Sequence, residues 1–144
     1  HLRFRRQRQM CIRDSGDTAH STAYLDLTVS PSDRFKFNLD LFHADKLYGS
    51  VNAEYFDTPG RTNMRMPSYE IFGAGASYRF PMGKDYVYLR LNVNNLFDEE
   101  YYQESGNNYL PTDRDGVTYK GINIDNRVVP GWGRTWNLGL TYRF

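Results

Sequence analysis

The chain has 144 residues, with 12 tyrosines, 9 phenylalanines and 12 glycines, and a formal net charge of +1. This length corresponds to about one domain, and a polar chain rich in aromatic residues and glycine favours β-structure with many turns. Charges interrupt every apolar stretch, which excludes a membrane-spanning helix of about 18 or more apolar residues. The strands of a membrane β-barrel remain possible, because they alternate lipid-facing and lumen-facing side chains.

Residues 1–15 form a segment of distinct composition. They hold five of the 18 basic residues, so residues 16–144 carry 13 basic and 16 acidic residues and a formal charge of −3. The string RQRQMCIRDS resembles translated adapter read-through from metagenomic assemblies, and we expect residues 1–15 to be non-native and residues 16–144 to be the structural unit. The alternative is a basic arm for nucleic acid or a membrane, but we expect no nucleic-acid partner. The only cysteine, Cys11, lies in this segment, so the remaining chain has no thiol chemistry.

The first two predicted strands lie near residues 21–30 and 34–48. In each, apolar residues such as Leu27 and Leu39 alternate with polar or charged residues, with the period of two that is typical of a half-exposed strand. A Pro-Ser-Asp turn at 31–33 joins the two strands.

Three further strands are predicted near residues 68–80, 85–97 and 132–144. A Pro-Met-Gly-Lys turn at 81–84 joins the third strand to the fourth. We expect all five strands to pair antiparallel with their neighbours in sequence. The predicted fold class is therefore all-β, an antiparallel meander.

The connections alternate between short turns and long loops. The long loops, residues 49–67 and 98–131, are polar and rich in glycine, asparagine and aspartate. Transmembrane β-barrels have short periplasmic turns and long extracellular loops, so this alternation predicts a periplasmic C-terminus. Short paired extensions are also predicted within 116–130, with Val117 and Tyr119 facing Ile122 and Ile124.

The positions of charged and aromatic residues favour a membrane barrel. No charge falls on the apolar parity in the middle of a predicted strand, where a lipid-facing lysine or arginine would cost about 2–4 kcal/mol. The alternative, a soluble β-sandwich with the apolar parity turned inward, does not explain aromatic residues near the strand ends. These fit an interfacial girdle and are Phe35, Tyr78, Phe80, Tyr86, Tyr142 and Phe144.

The C-terminus carries the most specific motif. A polar residue, a glycine and two aromatic residues stand at fixed spacing before the chain end. They are Asn137, Gly139, Tyr142 and Phe144. This pattern resembles the β-signal that the outer-membrane barrel-assembly machinery reads. A strand can be recognised in this way because an unpaired edge offers backbone groups for pairing and alternate side chains for specificity.

Three strings together resemble the C-terminal region of TonB-dependent receptors: MPSYEIFGAGASYRF, VNNLFDEEYY and the final GWGRTWNLGLTYRF. The resemblance covers roughly residues 20–144. It implies the last five strands of a plugged outer-membrane barrel of about 22 strands, with a plug domain and an energy-coupling box outside this sequence. It also implies contact with outer-membrane lipid, with the TonB energy-coupling complex through the missing N-terminal part, and with cargo such as a ferric siderophore, haem, a vitamin or a glycan.

The loop 98–131 contains the candidate ligand contacts, because extracellular loops normally carry them. Aromatic rings can stack on an anionic aromatic chelate and arginine can pair with its charge. The alternative is an ordinary solvated loop. The candidate residues are Tyr101, Tyr102, Tyr109, Arg114, Tyr119 and Arg127, with Lys120 beside them.

No catalytic or metal site is predicted. The segment Asp113-Arg-Asp115-Gly116 partly matches a calcium loop, but position twelve would be Ile124 instead of glutamate, so a turn at Asp115-Gly116 is expected. The sequence shows no recognisable arrangement of a catalytic nucleophile, a general base and a residue that orients the base. We expect no enzymatic activity and no cofactor. The alternatives from other classes are the translocator barrel of an autotransporter and an outer-membrane enzyme barrel.

Overall fold

The computed structural model is built of β-strands and loops. No helix long and apolar enough to cross a membrane occurs in the part of the chain that the structure describes. The expectation of an all-β chain is confirmed there. The described residues are 2–10 (backbone only), 19, 21–45, 47–50, 59–60 and 62–144.

The main sheet has six antiparallel strands in the order β1-β2-β3-β4-β5-β10. All five predicted strands are present in it as β2 to β5 and β10, and each pairs with its expected neighbour. The sheet is not closed, because β1 and β10 are its two edges. The strands are β1 (Leu2–Met10), β2 (Ser21–Ser32), β3 (Phe35–Asp45), β4 (Tyr69–Met82), β5 (Asp85–Asn94), β6 (Tyr102–Ser105), β7 (Thr118–Tyr119), β8 (Ile122–Asn123), β9 (Val128–Pro130) and β10 (Thr135–Arg143).

Three strands are shorter than the sequence predicts, and one of them is β10, which begins at Thr135 instead of residue 132 and ends at Arg143. Strand β3 ends at Asp45 instead of residue 48, and Tyr48 forms an isolated bridge with Arg65 in the following loop. Strand β5 ends at Asn94 because Asn95 adopts a positive φ of 51°. A residue in this left-handed region turns the chain out of the sheet.

Strand β1 lies in the segment that we expect to be non-native. It pairs along its length with β2, and Arg6 and Arg8 stand in register with Leu25 and Ala23. An open strand edge accepts the backbone of almost any extended segment, so this pairing does not depend on a matching sequence. The non-native origin of residues 1–15 stays a prediction, and residues 1 and 11–15 lie outside the described residues.

The register places the apolar residues of five strands on one side of the sheet, here called the apolar face. Leu39 of β3 pairs with Ala74, which pairs with Val93, which pairs with Trp136. This face is not covered at β10, where Leu140 is 71% exposed. The apolar face comprises Leu25, Leu27, Val29, Phe37, Leu39, Leu41, Phe72, Ala74, Ala76, Val87, Leu89, Leu91, Val93, Trp136, Leu138 and Leu140.

The opposite side, the polar face, carries a row of asparagines. Asn92 Nδ2 donates to Asn137 Oδ1 at 3.0 Å, and Asn38 lies across the same row, in register with Gly75. The side chain of Asn38 occupies the space that a Cβ at Gly75 would need. A glycine is therefore required here by close approach across the strands.

Aromatic residues gather at both ends of the apolar face. At the turn end the rings of Tyr78 and Phe80 lie 4.4 Å apart, and Tyr142 lies 6.0 Å from Phe144. At the loop end Phe72 and Phe97 make an edge contact at 5.2 Å. The placement of Tyr86 in the girdle is wrong, because its register with Arg143 puts it on the polar face.

The buried core lies at the loop end of the sheet. Met64 and Ile122 are almost fully buried there, and Phe42 and Tyr69 pack against this core. Met66 N donates to Leu47 O within the first loop, and Ser105 N of the second loop donates to Gly49 O of the first. The described parts of the two long loops therefore fold together as one small body at the loop end of the sheet.

Candidate functional site

Asn95 anchors the turn that follows β5. Its side-chain Nδ2 donates to the carbonyl oxygens of Glu99 at 2.8 Å and Trp132 at 3.1 Å, and its Oδ1 accepts from Glu99 N at 2.7 Å. The residue is buried, and asparagine tolerates the left-handed backbone that the turn needs. A single side chain therefore connects the end of β5 to the segment that leads into β10.

Asp98 makes a second connection to the same segment. Its Oδ1 accepts a hydrogen bond from Arg134 N at 2.7 Å, and its Oδ2 lies 4.0 Å from the guanidinium of Arg134. Asn95 and Asp98, the first and last residues of Asn-Leu-Phe-Asp, therefore both fix the start of the final strand.

Replacing Asn95 by alanine should lower the free energy of unfolding by about 1–3 kcal/mol, because Glu99 N and two carbonyl oxygens lose their partner. The matched control is Asn94→Ala, since exposed Asn94 makes one bond, to Thr135 Oγ1 at 3.3 Å, and should cost about 0.5 kcal/mol. Urea unfolding of the full-length protein in detergent measures both. Equal midpoints for the two variants would contradict the proposed role of Asn95.

The loop 98–131 contains two small strand pairs. Strand β6 pairs with β9, and β7 pairs with β8. The predicted extension is confirmed, since Tyr119 stands opposite Ile122 and Ile124 N donates to Val117 O at 3.1 Å. The pairing of β6 with β9 was not predicted, because these strands have four and three residues and lack a readable alternation.

Two buried asparagines hold this loop together. Asn123 donates to the carbonyl oxygens of Leu110 and Asp113, and Asn126 exchanges hydrogen bonds with the backbone of Tyr109 in both directions. Buried amides of this kind supply partners that a loop lacks in regular structure. Sequence reasoning missed both, because asparagine in a polar loop is equally typical of an exposed turn.

The predicted turn in the loop is confirmed. Gly116 N donates to Asp113 O at 3.0 Å, and Asp113 Oδ2 accepts from Leu110 N at 2.8 Å. Gly116 adopts a positive φ of 66°, which glycine accepts without steric cost. One carboxylate oxygen of Asp113 is thus used inside the loop itself.

Glu100 is the centre of one polar cluster on the loop surface. Tyr102 Oη donates to Glu100 Oε1 at 2.7 Å, Tyr119 Oη donates to Oε2 at 3.2 Å, and Lys120 Nζ lies 3.2 Å from the same oxygen. Two of the six predicted ligand residues, Tyr102 and Tyr119, therefore meet at one carboxylate that was not predicted.

The hydrogen bonds of this cluster shift two pKa values in opposite directions. The bond to Glu100 raises the pKa of Tyr102 to about 12, because the phenol must keep its proton to donate. The same bond, together with Lys120, lowers the pKa of Glu100. The cluster is therefore most stable when Tyr102 is neutral and Glu100 is charged.

This pairing predicts a pH window for order in the loop. The folded pKa of Tyr102 lies above the ordinary value near 10, so its contribution is complete below about pH 10 and is lost as the pH rises through about 12. The contribution of Glu100 is present above its ordinary pKa near 4.3 and is lost as the pH falls through the lowered value.

Tyrosinate absorbance should therefore show one tyrosine that titrates at about pH 12, and Glu100→Gln should move it back towards 10. Tyr119→Phe serves as the matched control, because it removes the longer of the two tyrosine bonds to Glu100 and should leave the late transition in place. Loss of the late transition in Tyr119→Phe but not in Glu100→Gln would contradict the assignment.

Arg114 forms a second cluster at the other side of the loop. Its guanidinium carbon lies 4.2 Å from the centre of the Tyr109 ring, and Arg114 Nη2 donates to Tyr109 Oη at 2.7 Å. Arg114 Nη1 also lies 3.5 Å from Asp125 Oδ2. The predicted pair of an aromatic ring and a cation is thus in contact, and the cation has a carboxylate partner.

The two remaining predicted ligand residues belong to neither cluster. The ring of Tyr101 lies 4.4 Å from that of Tyr69 and covers the backbone at Gly131. Arg127 is exposed, and among the described residues its side chain has no hydrogen-bonding or ionic partner. Of the six residues, Arg127 is the one whose charge is entirely available at the surface.

The C-terminal strand presents the predicted assembly signal at an edge. Asn137 accepts from Asn92 on the polar face, and Gly139 stands opposite Arg90. Tyr142 Oη donates to Asp85 Oδ2 at 3.0 Å, and Phe144 is 97% exposed. One side of β10 is paired with β5, and within the described sheet the other side is open. The motif thus lies where an incoming strand would meet it.

The chain was compared with protein-family models, with the curated proteins and with the solved structures. No family model, no curated protein and no solved structure matches it. Its function is therefore inferred from the two faces of the sheet, the loop clusters and the edge strand.

Proposed function

We propose that this chain is the C-terminal part of an energy-coupled outer-membrane receptor that imports a scarce ligand such as an iron–siderophore complex. The observation that carries the proposal is the exposed apolar face, which continues across β2, β3, β4, β5 and β10. Soluble monomers rarely expose a continuous apolar patch larger than a few hundred Å². Lipid is the environment in which such a face is stable.

The dimensions of the apolar face support a membrane location. The aromatic residues at its two ends, Phe72 and Phe80, are eight residues apart on β4, which is about 27 Å of strand. A tilt of about 40° reduces this to about 20 Å, close to the apolar band of about 25 Å on outer-membrane barrels. The strands therefore have the length that a bilayer requires.

The open edge at β10 supports a larger barrel. Unpaired backbone groups are too costly to persist in lipid, and a closed barrel removes them. Since five membrane strands are fewer than the roughly eight of the smallest barrels, the proposal requires further strands from elsewhere in a longer chain. On this proposal β10 pairs with one of them, and the barrel-assembly machinery reads β10 before that pairing forms.

The loops support the receptor assignment within the class of outer-membrane barrels. The long loops share a packed core and carry two clusters that combine tyrosine with a cation. Rings and cations in this arrangement suit an anionic aromatic chelate. Glu100 and Asp125 already pair with two of these cations, so such a ligand would compete with them or use Arg127.

The sequence encoded upstream of residue 16 in the genome tests the proposal. A plug domain followed by the missing strands is expected for a receptor. A secreted passenger domain would instead identify an autotransporter, and a catalytic constellation would identify an enzyme barrel. Either of these would overturn the receptor assignment while leaving the membrane location of the sheet intact. Recovery of the full-length protein in the outer-membrane fraction tests that location separately.

A further inference from the structure

Four cations from four parts of the sheet meet on the polar face near the turn end. They are Arg34 of the β2–β3 turn, Lys36 of β3, Arg79 of β4 and Arg143 of β10, here called the basic cluster. They line a cavity of about 380 Å³. The cavity lies at the opposite end of the sheet from the loop residues considered as ligand contacts.

No member of the basic cluster forms an ion pair with the described residues. One carboxylate, Asp33, also lines the cavity, but it pairs with none of the four. The other acidic residues of the polar face, Asp26 and Asp40, lie opposite each other on β2 and β3, further from the turn end. With four cations and one carboxylate, the cavity therefore carries an excess of positive charge within the described chain.

One neutral side chain, Tyr86, contacts two of these cations. Arg143 Nη1 donates to Tyr86 Oη at 3.0 Å, and the Arg79 guanidinium lies 5.7 Å from the centre of the same ring. These contacts orient the guanidiniums without neutralising them. An oriented, unpaired guanidinium is preorganised to bind a carboxylate or a phosphate.

The width of the cluster argues for a partner with several negative charges. From β3 to β10 there are three strand spacings, or about 14 Å at about 4.8 Å each. A single small anion reaches only part of this width. An extended peptide presents alternate side chains about 6.8 Å apart, so three carboxylates at alternate positions cover the same distance.

We propose that the basic cluster docks an acidic segment of polypeptide, with carboxylates at alternate positions, against the polar face. The four cations, with Tyr86 orienting two of them, provide the site, and the acidic segment supplies negative charge. The inference needs the sheet as it is folded but does not depend on the sheet being in a membrane. Its failure is therefore distinguishable from failure of the receptor proposal.

Photo-crosslinking in the full-length protein tests the docking. Thr141 is neutral and lines the cavity, so p-benzoylphenylalanine at this position reports what occupies it. Mass spectrometry should map the crosslink to a segment with three or more acidic residues. Crosslinking to a neutral or basic segment, or to none, would overturn the proposal. Millimolar phosphate added before irradiation should lower the yield of this crosslink, because phosphate competes for the same cations. Phosphate binding without any acidic crosslink would overturn the proposal and identify a small-anion site instead.

Charge variants separate electrostatic docking from simple packing. The double variant Arg79→Gln/Arg143→Gln should lower the crosslink yield by about tenfold or more, because two charge-assisted contacts are lost. The variant Arg79→Lys/Arg143→Lys keeps the charge and should retain most of the yield. Arg65→Gln, at the loop end of the molecule, is the matched control and should not change it. If the double variant does not assemble, Lys36→Gln replaces it, and an unchanged yield there would contradict the proposal.

Discussion

Replacing Leu27 by arginine should destabilise the folded protein in a lipid bilayer by about 2–4 kcal/mol, equivalent to about 30- to 700-fold in the folding equilibrium. Leu27 lies on the apolar face in the middle of β2, in register with Leu39. An arginine there must either enter the hydrocarbon or distort the strand. The effect follows from the proposed membrane location of the apolar face, and it is the largest that we expect from a single side chain.

The adjacent residue provides the control at nearly the same depth. Thr28 lies on the polar face, and its Oγ1 donates to Asp26 Oδ1 at 3.3 Å. An arginine at this position can approach the carboxylate of Asp26, so Thr28→Arg should cost about 0.5 kcal/mol or less. Both variants would be measured by urea unfolding in lipid vesicles. Equal costs, or a wild-type protein that stays monomeric in buffer without detergent, would contradict the membrane assignment.

If the proposed receptor assignment is right, deleting Phe144 should remove most of the folded protein from the outer membrane while leaving the ligand affinity of the assembled remainder nearly unchanged. The terminal residues of β10 lie at the turn end of the sheet, and Phe144 is almost fully exposed at an open edge. These features suit a side chain that is read during assembly and not one that contacts cargo. Replacing Tyr142 and Phe144 together by serine should have the same effect.

A loop variant should show the reverse pattern. Arg127→Ala should assemble normally, because the exposed guanidinium has no partner among the described residues, and should bind an iron(III) tris-catecholate probe more weakly. Tyr101→Ala is a poorer choice, because the ring packs on Tyr69 and its loss would also disturb the loop core. Surface abundance and probe affinity are measured for each variant. Unchanged abundance with weaker binding after loss of Phe144 would contradict the assembly role.

The sequence by itself determined the strands and the two faces of the sheet. Alternation with a period of two is a property of each strand alone, since successive side chains must point to opposite sides. The five strands, the short turns, the pairing of Tyr119 with Ile122 and the position of Gly116 could all be predicted from such local patterns. The same parity places Tyr86 on the polar face, although an aromatic residue near a strand end favoured the girdle.

Only the tertiary structure decided which of the candidate residues act together. Glu100 accepts hydrogen bonds from Tyr102 and Tyr119, while Arg114 and Tyr109 form a separate cluster. From the sequence alone these residues cannot be divided into groups, because spacing along an irregular segment does not specify where a side chain points or how far apart two side chains lie.

The same limit applies to the end of β5 and to the basic cluster. Asn95 contacts Trp132, and Arg143 contacts Tyr86, across separations of 37 and 57 residues. Such contacts depend on strand register and on how the loops pack above the sheet, which are set by many weak interactions at once. Alternation along one strand gives the side on which a residue lies, but the register between strands decides which charges share a cavity and which are left without a partner.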